Sequence, residues 1–215
     1  MPIDSLIRAE LKKLKDMPPW GRAQGDRWDK LSNFIYRIKT LQGVQRQAQA
    51  IAQAQKLDAT AFGAYAVRRW FNHHSHDEIL QMFYAHPTVQ PETDRKHRTI
   101  DFYLRDLPFD LKISRFPQAY PESLAYAQQQ PSHLALWLYE NQSKQGRYHI
   151  GHRLFLILHN VTLPSLTWRR RCEFDILEQL IQEFLEAPPL FGLTLRNYHT
   201  GETYHPWSAV IFHVK

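Results

Sequence analysis

The sequence predicts an α/β fold: a mixed β-sheet core flanked by helices and preceded by an N-terminal helical extension. Three features carry this. Thr99 to Ser114, TIDFYLRDLPFDLKIS, reads as two short apolar strands around a turn. Arg153 to His159, RLFLILH, is an unbroken apolar run of strand length, the pattern of a central strand covered on both faces. Helical periodicities fill the chain before, between and after these strands. The expected division is an extension over residues 1–57 and a core over 58–215.

The elements follow in order. Residues 4–15 read as a helix capped by Asp4 or Ser5, with Ile3, Leu6, Ile7, Leu11 and Leu14 near one stripe. Met17 to Gly21, MPPWG, stops it. A second helical stretch, about 26–40, carries Trp28, Leu31, Phe34, Ile35 and Ile38 on one side. Residues 41–57 are rich in Gln and Ala and helical, with a thin stripe of Leu41, Val44, Ala48 and Ile51. Their glutamines read as a solvated face, with hydrogen bonding to phosphates or bases as the functional alternative. Asp58 or Thr60 opens a helix through Trp70, which is expected to break at Asn72 to Ser75 and restart at Ser75 or Asp77. His73, His74 and His76 lack the i, i+4 pair of a helical zinc site, and no Cys or second His pair completes one. Thr88 to Arg98 reads as a polar loop with a basic cluster.

Beyond the strand pair, Pro121 suits the first turn of a helix through Gln130. Pro131 interrupts it, and Ser132 caps another helix ending near Gly146, although the alternation in HLALWLYE leaves a strand open for part of it. The run 153–159, coming after a helical crossover, is expected parallel to the second strand of the pair. Ser165 or Thr167 opens an amphipathic helix in which Ile176, Leu177, Leu180, Ile181, Phe184 and Leu185 recur at helical spacing until Pro188-Pro189. Arg169, Arg170 and Arg171 fall in its first turn, the wrong sign for a helix N-terminus. They read either as a polyanion contact or as charges offset by Glu173 and Asp175. Leu193 to Tyr198 and Ser208 to Val214 are expected to form a hairpin that extends the sheet.

Composition bounds the function. With 43% apolar and 13% aromatic residues in 215, the chain can bury one good core and is not disordered. A net charge of +6 leans toward polyanion partners. The single Cys172 excludes an intramolecular disulfide and a Cys-based zinc cage, and it fits a reducing compartment. No run approaches a membrane span, and the amphipathic N-terminus lacks the apolar centre of a signal peptide. The expected location is the cytoplasm, with no membrane association.

The strand pair carries the chemistry. Side chains alternate faces along a strand, so Asp101, Tyr103 and Arg105 share one face, and Asp110, Lys112 and Ser114 share one. A turn at Asp106-Leu107, or a four-residue turn from Arg105 to Pro108, pairs Leu104 with Phe109 and sets Asp101 opposite Lys112. A turn at Arg105-Asp106 sets Asp101 opposite Asp110. Either way three polar groups meet on one face, whereas an odd turn length separates them. Two carboxylates and an ammonium among apolar neighbours are costly to desolvate unless paired or cation-bound. One reading is a cross-strand Asp–Lys bridge. The other is a site for a hard divalent cation with oxygen ligands and a lysine beside it.

Asp101, eight intervening residues, then Asp110-Leu111-Lys112 on the next strand resembles the PD-(D/E)XK nuclease superfamily, with Ile100 where the name pattern has Pro. The likeness covers 62–160 as an order of elements. It implies a restriction-endonuclease-like core and a metal-dependent endonuclease that hydrolyses phosphodiester bonds. In that reading Asp101, Asp110 and the Leu111 carbonyl hold Mg²⁺ or Mn²⁺, Lys112 is catalytic beside them, and Glu78 on the preceding helix is a further acidic candidate. The alternative for Glu78 is first-turn stabilisation of its helix. Arg95, Lys96, Arg98 and Arg169 to Arg171 are the candidate backbone contacts. The expected partner is nucleic acid, DNA ahead of RNA, with a homodimer as the candidate assembly. Two other classes stand beside this one: a catalytically inactive nuclease-fold module for nucleic-acid binding or assembly, and an oligomeric interaction protein built on the N-terminal helices.

Overall fold

A computed structural model describes residues 5–19, 25–94, 99–141, 150–197 and 200–215. The chain divides into two compact units, 1–81 and 82–215.

The first unit is helical: α1 (Ser5–Lys12), α2 (Arg27–Leu31), a 3₁₀ turn (Asn33–Tyr36), α3 (Leu41–Gln55) and most of α4 (Ala59–Tyr84). Asp26 caps α2 by accepting the Trp28 amide at 2.8 Å. The helix expected over 26–40 stops early, because the Ser32 hydroxyl donates back to the Trp28 carbonyl at 2.6 Å and a 3₁₀ turn follows. Thr40 caps α3 through the Gly43 amide, and the Glu10 carboxylate takes the neighbouring Leu41 amide at 3.0 Å. Lys56, left-handed at φ 53°, ends α3. The Asp58 carboxylate then accepts the Ala61 amide at 2.7 Å and starts α4.

α4 runs unbroken through Asn72 to Ser75, where a break was expected. Weak helix formers crowd that stretch, but tertiary contacts outweigh them. Trp70 is fully buried with its indole N–H donating to the Ile38 carbonyl at 2.8 Å, and a ring nitrogen of His74 meets the Ile35 carbonyl at 2.9 Å. A break would expose Phe71 and Ile79 as well, both fully buried.

The second unit holds β1 (Val89–Pro91), β2 (Phe102–Leu104), β3 (Leu107–Arg115), α5 (Leu124–Gln129), α6 (Pro131–Asn141), β4 (His152–His159), a 3₁₀ segment (Pro164–Cys172), α7 (Phe174–Glu186), β5 (Phe191–Gly192), β6 (Leu195–Arg196), β7 (Thr203–Tyr204) and β8 (Trp207–Val214). The fold is α/β, with a mixed six-stranded sheet in the order β1-β2-β3-β4-β8-β5. β1, β2 and β3 form an antiparallel meander, β3, β4 and β8 are parallel, and β5 closes the far edge antiparallel to β8.

β4 is the central strand, buried from Arg153 to Leu158. The sequence HLALWLYE is helical rather than extended: Leu134, Ala135, Leu138 and Tyr139 recur at helical spacing and bury with Phe155, Ile157 and Val210. The alternate residues of β8 face the other way, where His213 meets Glu173 at the start of α7. The C-terminal hairpin differs from expectation. β6 pairs with β7 as a separate ribbon, while β8 enters the main sheet beside β4. β1 lies inside the expected loop; Pro91, which lacks an amide, is tolerated because β1 is an edge strand. Among the described residues no helix is long and apolar enough to cross a membrane.

Candidate functional site

The turn between β2 and β3 decides the site. Arg105 and Asp106 both have positive φ, 50° and 67°, the backbone of a two-residue hairpin turn whose twist matches the flanking strands. The register that follows pairs Phe102 with Phe109. Of the alternatives open in the sequence, this is the register of the Arg105-Asp106 turn; β2 begins at Phe102, and the preceding Asp101 amide donates to the Phe109 carbonyl at 2.8 Å.

Asp110 adjoins Asp101 and favours its charged form. Asp101 accepts the Leu111 amide through Oδ2 at 2.7 Å. That amide therefore points away from β4, and the Leu111 carbonyl points to the same side as its own amide. Burial pushes the Asp101 carboxyl above its usual range, opposed by the Leu111 amide and by the positive charge of Lys112. Asp110 is buried at 7% exposure, and its Oδ1 accepts from Lys112 Nζ at 2.6 Å. The lysine sits two residues along the same strand face, with its side chain 38% exposed.

A fourth charge was not read from the sequence. Arg153 is the partner of Asp110 across the parallel β3–β4 pair, and its Nε lies 3.3 Å from Asp110 Oδ2. The separation is that of an ion pair, but the geometry is not that of a hydrogen bond, and Nε is buried without a hydrogen-bond partner among the described residues. The guanidinium lies over the Tyr139 ring, 5.0 Å from its centroid. Tyr139 donates its hydroxyl to the Gly151 carbonyl at 2.8 Å, and burial pushes that hydroxyl's pKa far up, so it stays neutral. The signal was present: an arginine heads an otherwise apolar central strand, where a lone charge requires a partner. Asp110 and Arg153 form one wall of a cavity of about 330 Å³, shared with Thr99, Ile100, Gly151 and His152. His152 accepts the Trp207 amide through Nδ1 at 3.0 Å, and burial lowers its pKa.

Glu78, in the first unit, is 5% exposed and accepts Arg8 Nε at 2.9 Å. Arg169, Arg170 and Arg171 end the 3₁₀ segment that precedes α7 instead of opening an α-helix. Arg170 is buried in an ion pair with Glu173, which also holds His213 at 2.7 Å. Arg171 donates to the Ile113 carbonyl at 3.1 Å, and Arg169 is exposed beside the Trp168 ring. Arg95, Lys96 and Arg98 lie outside the described residues.

The donor set suits a hard cation in kind: two adjoining carboxylates, one of them desolvated, with a main-chain carbonyl on the same side. Among the described residues no group of three or more His, Cys, Asp and Glu converges as a metal cluster. Asp101 and Asp110 are a pair and not such a cluster. Comparisons with family models, with curated proteins and with solved structures find no match to this chain.

Proposed function

We propose that the chain is a metal-dependent endonuclease of the PD-(D/E)XK type, hydrolysing phosphodiester bonds in nucleic acid, DNA ahead of RNA. The observation that carries the reading is the hairpin register, in which Asp101 accepts the Leu111 amide next to Asp110 while Asp110 holds Lys112. The order of elements supports it: α4, the β1–β3 meander, α5 and α6, then β4 parallel to β3. This is the succession expected of a restriction-endonuclease-like core.

Asp101 and Asp110, with the Leu111 carbonyl, would hold Mg²⁺ or Mn²⁺, which supplies an activated water and neutralises charge on the scissile phosphate. The protein's own part is positioning. The Leu111 amide fixes Asp101 Oδ2, which orients this carboxylate. Lys112, more exposed than Asp110 and Arg153, is a point charge on a flexible stem, able to leave Asp110 for a phosphate oxygen. The test is cleavage of plasmid DNA and of structured RNA with Mg²⁺ or Mn²⁺. Wild type should cleave at least one of them, while Asp101→Asn, Asp110→Asn and Lys112→Ala should abolish the cut. Activity that survives all three substitutions refutes the assignment.

A second reading has its own observation. Lys112 and Arg153 lie against the two Asp110 oxygens, and Glu78 is held by Arg8. Two carboxylates and two cations on the hairpin face are charge-balanced, as a structural module would require. Mn²⁺ calorimetry separates the two: a module without the metal site takes up none.

A further inference from the structure

We infer that Arg153 is an exchangeable counter-ion of Asp110 and a phosphodiester-holding group, in mutually exclusive arrangements. It pairs with Asp110 until that carboxylate takes a divalent cation, and then turns to an anionic oxygen of the substrate in the adjoining cavity. This rests on the reading of the hairpin as a cation-assisted phosphodiesterase site.

Four observations carry it. Arg153 is 6% exposed, so its charge must be answered locally. The local answer is incomplete: Nε approaches Asp110 Oδ2 at 3.3 Å yet makes no hydrogen bond among the described residues. A buried guanidinium with an unmet donor favours any better acceptor brought to it. Asp110 Oδ1 is already taken by Lys112, so Oδ2 is the oxygen that the guanidinium and a cation would contest. The planar fork of an arginine matches two phosphate oxygens, which the Nε approach to Asp110 Oδ2, lacking hydrogen-bond geometry, does not exploit.

The surroundings permit the exchange. Arg153 rests on the neutral Tyr139 ring, which holds a guanidinium by its π-face without fixing its in-plane rotation. The cavity of about 330 Å³ runs along Asp110 and Arg153 and has room for a phosphodiester group. Its other lining residues, Thr99, Ile100, Pro108, Ile150, Gly151 and His152, include no carboxylate that would repel an anion. The consequence is reciprocal coupling: the cation releases a phosphate donor, and the phosphodiester stabilises the released arginine.

The experiment titrates Mn²⁺ by calorimetry into wild type, Arg153→Met and Arg153→Lys. Binding of a fluorescent DNA duplex is then measured by anisotropy in Ca²⁺ and in EDTA. Arg153→Met should bind Mn²⁺ about tenfold more tightly than wild type, because the competitor for Oδ2 is gone. Ca²⁺ should strengthen duplex binding by wild type about tenfold, and most of that gain should vanish in Arg153→Met. Arg153→Lys keeps the charge and loses the fork: its Mn²⁺ affinity should stay near that of wild type while its Ca²⁺-dependent gain falls. This decides the matter even if Arg153→Met does not fold. Equal Mn²⁺ affinity in wild type and Arg153→Met, or an undiminished Ca²⁺ effect in Arg153→Lys, overturns the inference and leaves the nuclease reading standing. Failure of every variant to bind Mn²⁺ overturns both.

Discussion

Replacing Asp110 by alanine removes the anion that sits between two cations, and its effect on stability can be worked from the geometry. Lys112 is 38% exposed, so water takes over most of its solvation and its share of the loss is at most about 1 kcal/mol. Arg153 is 6% exposed and would be left a buried, uncompensated charge, a change that costs about 3–5 kcal/mol when one partner of a buried pair is removed. Asp110→Ala should therefore lower stability by about 3–5 kcal/mol, or roughly 6–20 °C in melting temperature for a chain of this size. The assay is urea and thermal unfolding of wild type, Asp110→Ala, Arg153→Met and the double variant. The double variant has neither charge, so the single losses should not add, and the shortfall should be about 1–3 kcal/mol. An Asp110→Ala loss under about 1 kcal/mol, or simple additivity in the double variant, would refute the account of a buried pair. The practical corollary is that alanine at 110 confuses lost chemistry with lost folding, whereas asparagine keeps the shape and an acceptor for Lys112.

Other outcomes follow from single contacts. Asp106 holds φ 67° in the hairpin turn, so Asp106→Gly should raise stability by up to about 1 kcal/mol; a loss on urea unfolding would contradict the turn assignment. The two helical glycines should respond oppositely to alanine. A Cβ at Gly43 meets Thr40 Oγ1 at 2.7 Å and Ile38 Cγ2 at 2.8 Å, so the change should disturb the α3 cap and destabilise. A Cβ at Gly63 meets nothing within 4 Å, so there the change should stabilise α4 by about 1 kcal/mol. Burial lowers the pKa of His74 and of His213. Protons therefore bind the unfolded chain first: the stability these residues contribute is complete above about pH 6.5 and is lost as pH falls through their depressed folded values. His74→Gln should flatten the fall in urea midpoint between about pH 7 and pH 5, and an unchanged slope would remove His74 from the account.

The parts of the fold legible in the sequence are those governed by local pattern. RLFLILH announced a two-sided central strand, and its place parallel to β3 followed from the helical crossover before it. Alternation placed Asp101, Asp110 and Lys112 on one face for any even turn, but only the positive φ values at Arg105 and Asp106 select the register. Neither residue is the glycine that usually signals such a turn. The errors lie where contacts distant in sequence outweigh local preference. Asn72 to Asp77 stays helical because Trp70 and His74 are tied to the carbonyls of Ile38 and Ile35. β1 was missed because three residues ending in proline carry no periodicity and are held by the β2 edge alone.

Arg153 shows why a three-residue motif describes this site incompletely. The motif is local to one hairpin, and the charge that completes it arrives 43 positions after Asp110 (153 − 110), through parallel pairing with β4. Parity could have found it: a residue paired with Asp110 on the next strand shares its face, and a central strand covered on both faces gives a charge at that position no route to water. Its partner had to be an anion already on the hairpin, and Asp110 is the one opposite. The same reasoning joins the question of activity to that of stability. If the arginine holds Asp110 in every state, the hairpin face is a closed set of two carboxylates and two cations. If it yields to a divalent ion, its unmet donor is aimed at the substrate. Comparing Arg153→Lys with Arg153→Met separates these cases, since the first changes only the shape of the charge and the second removes it.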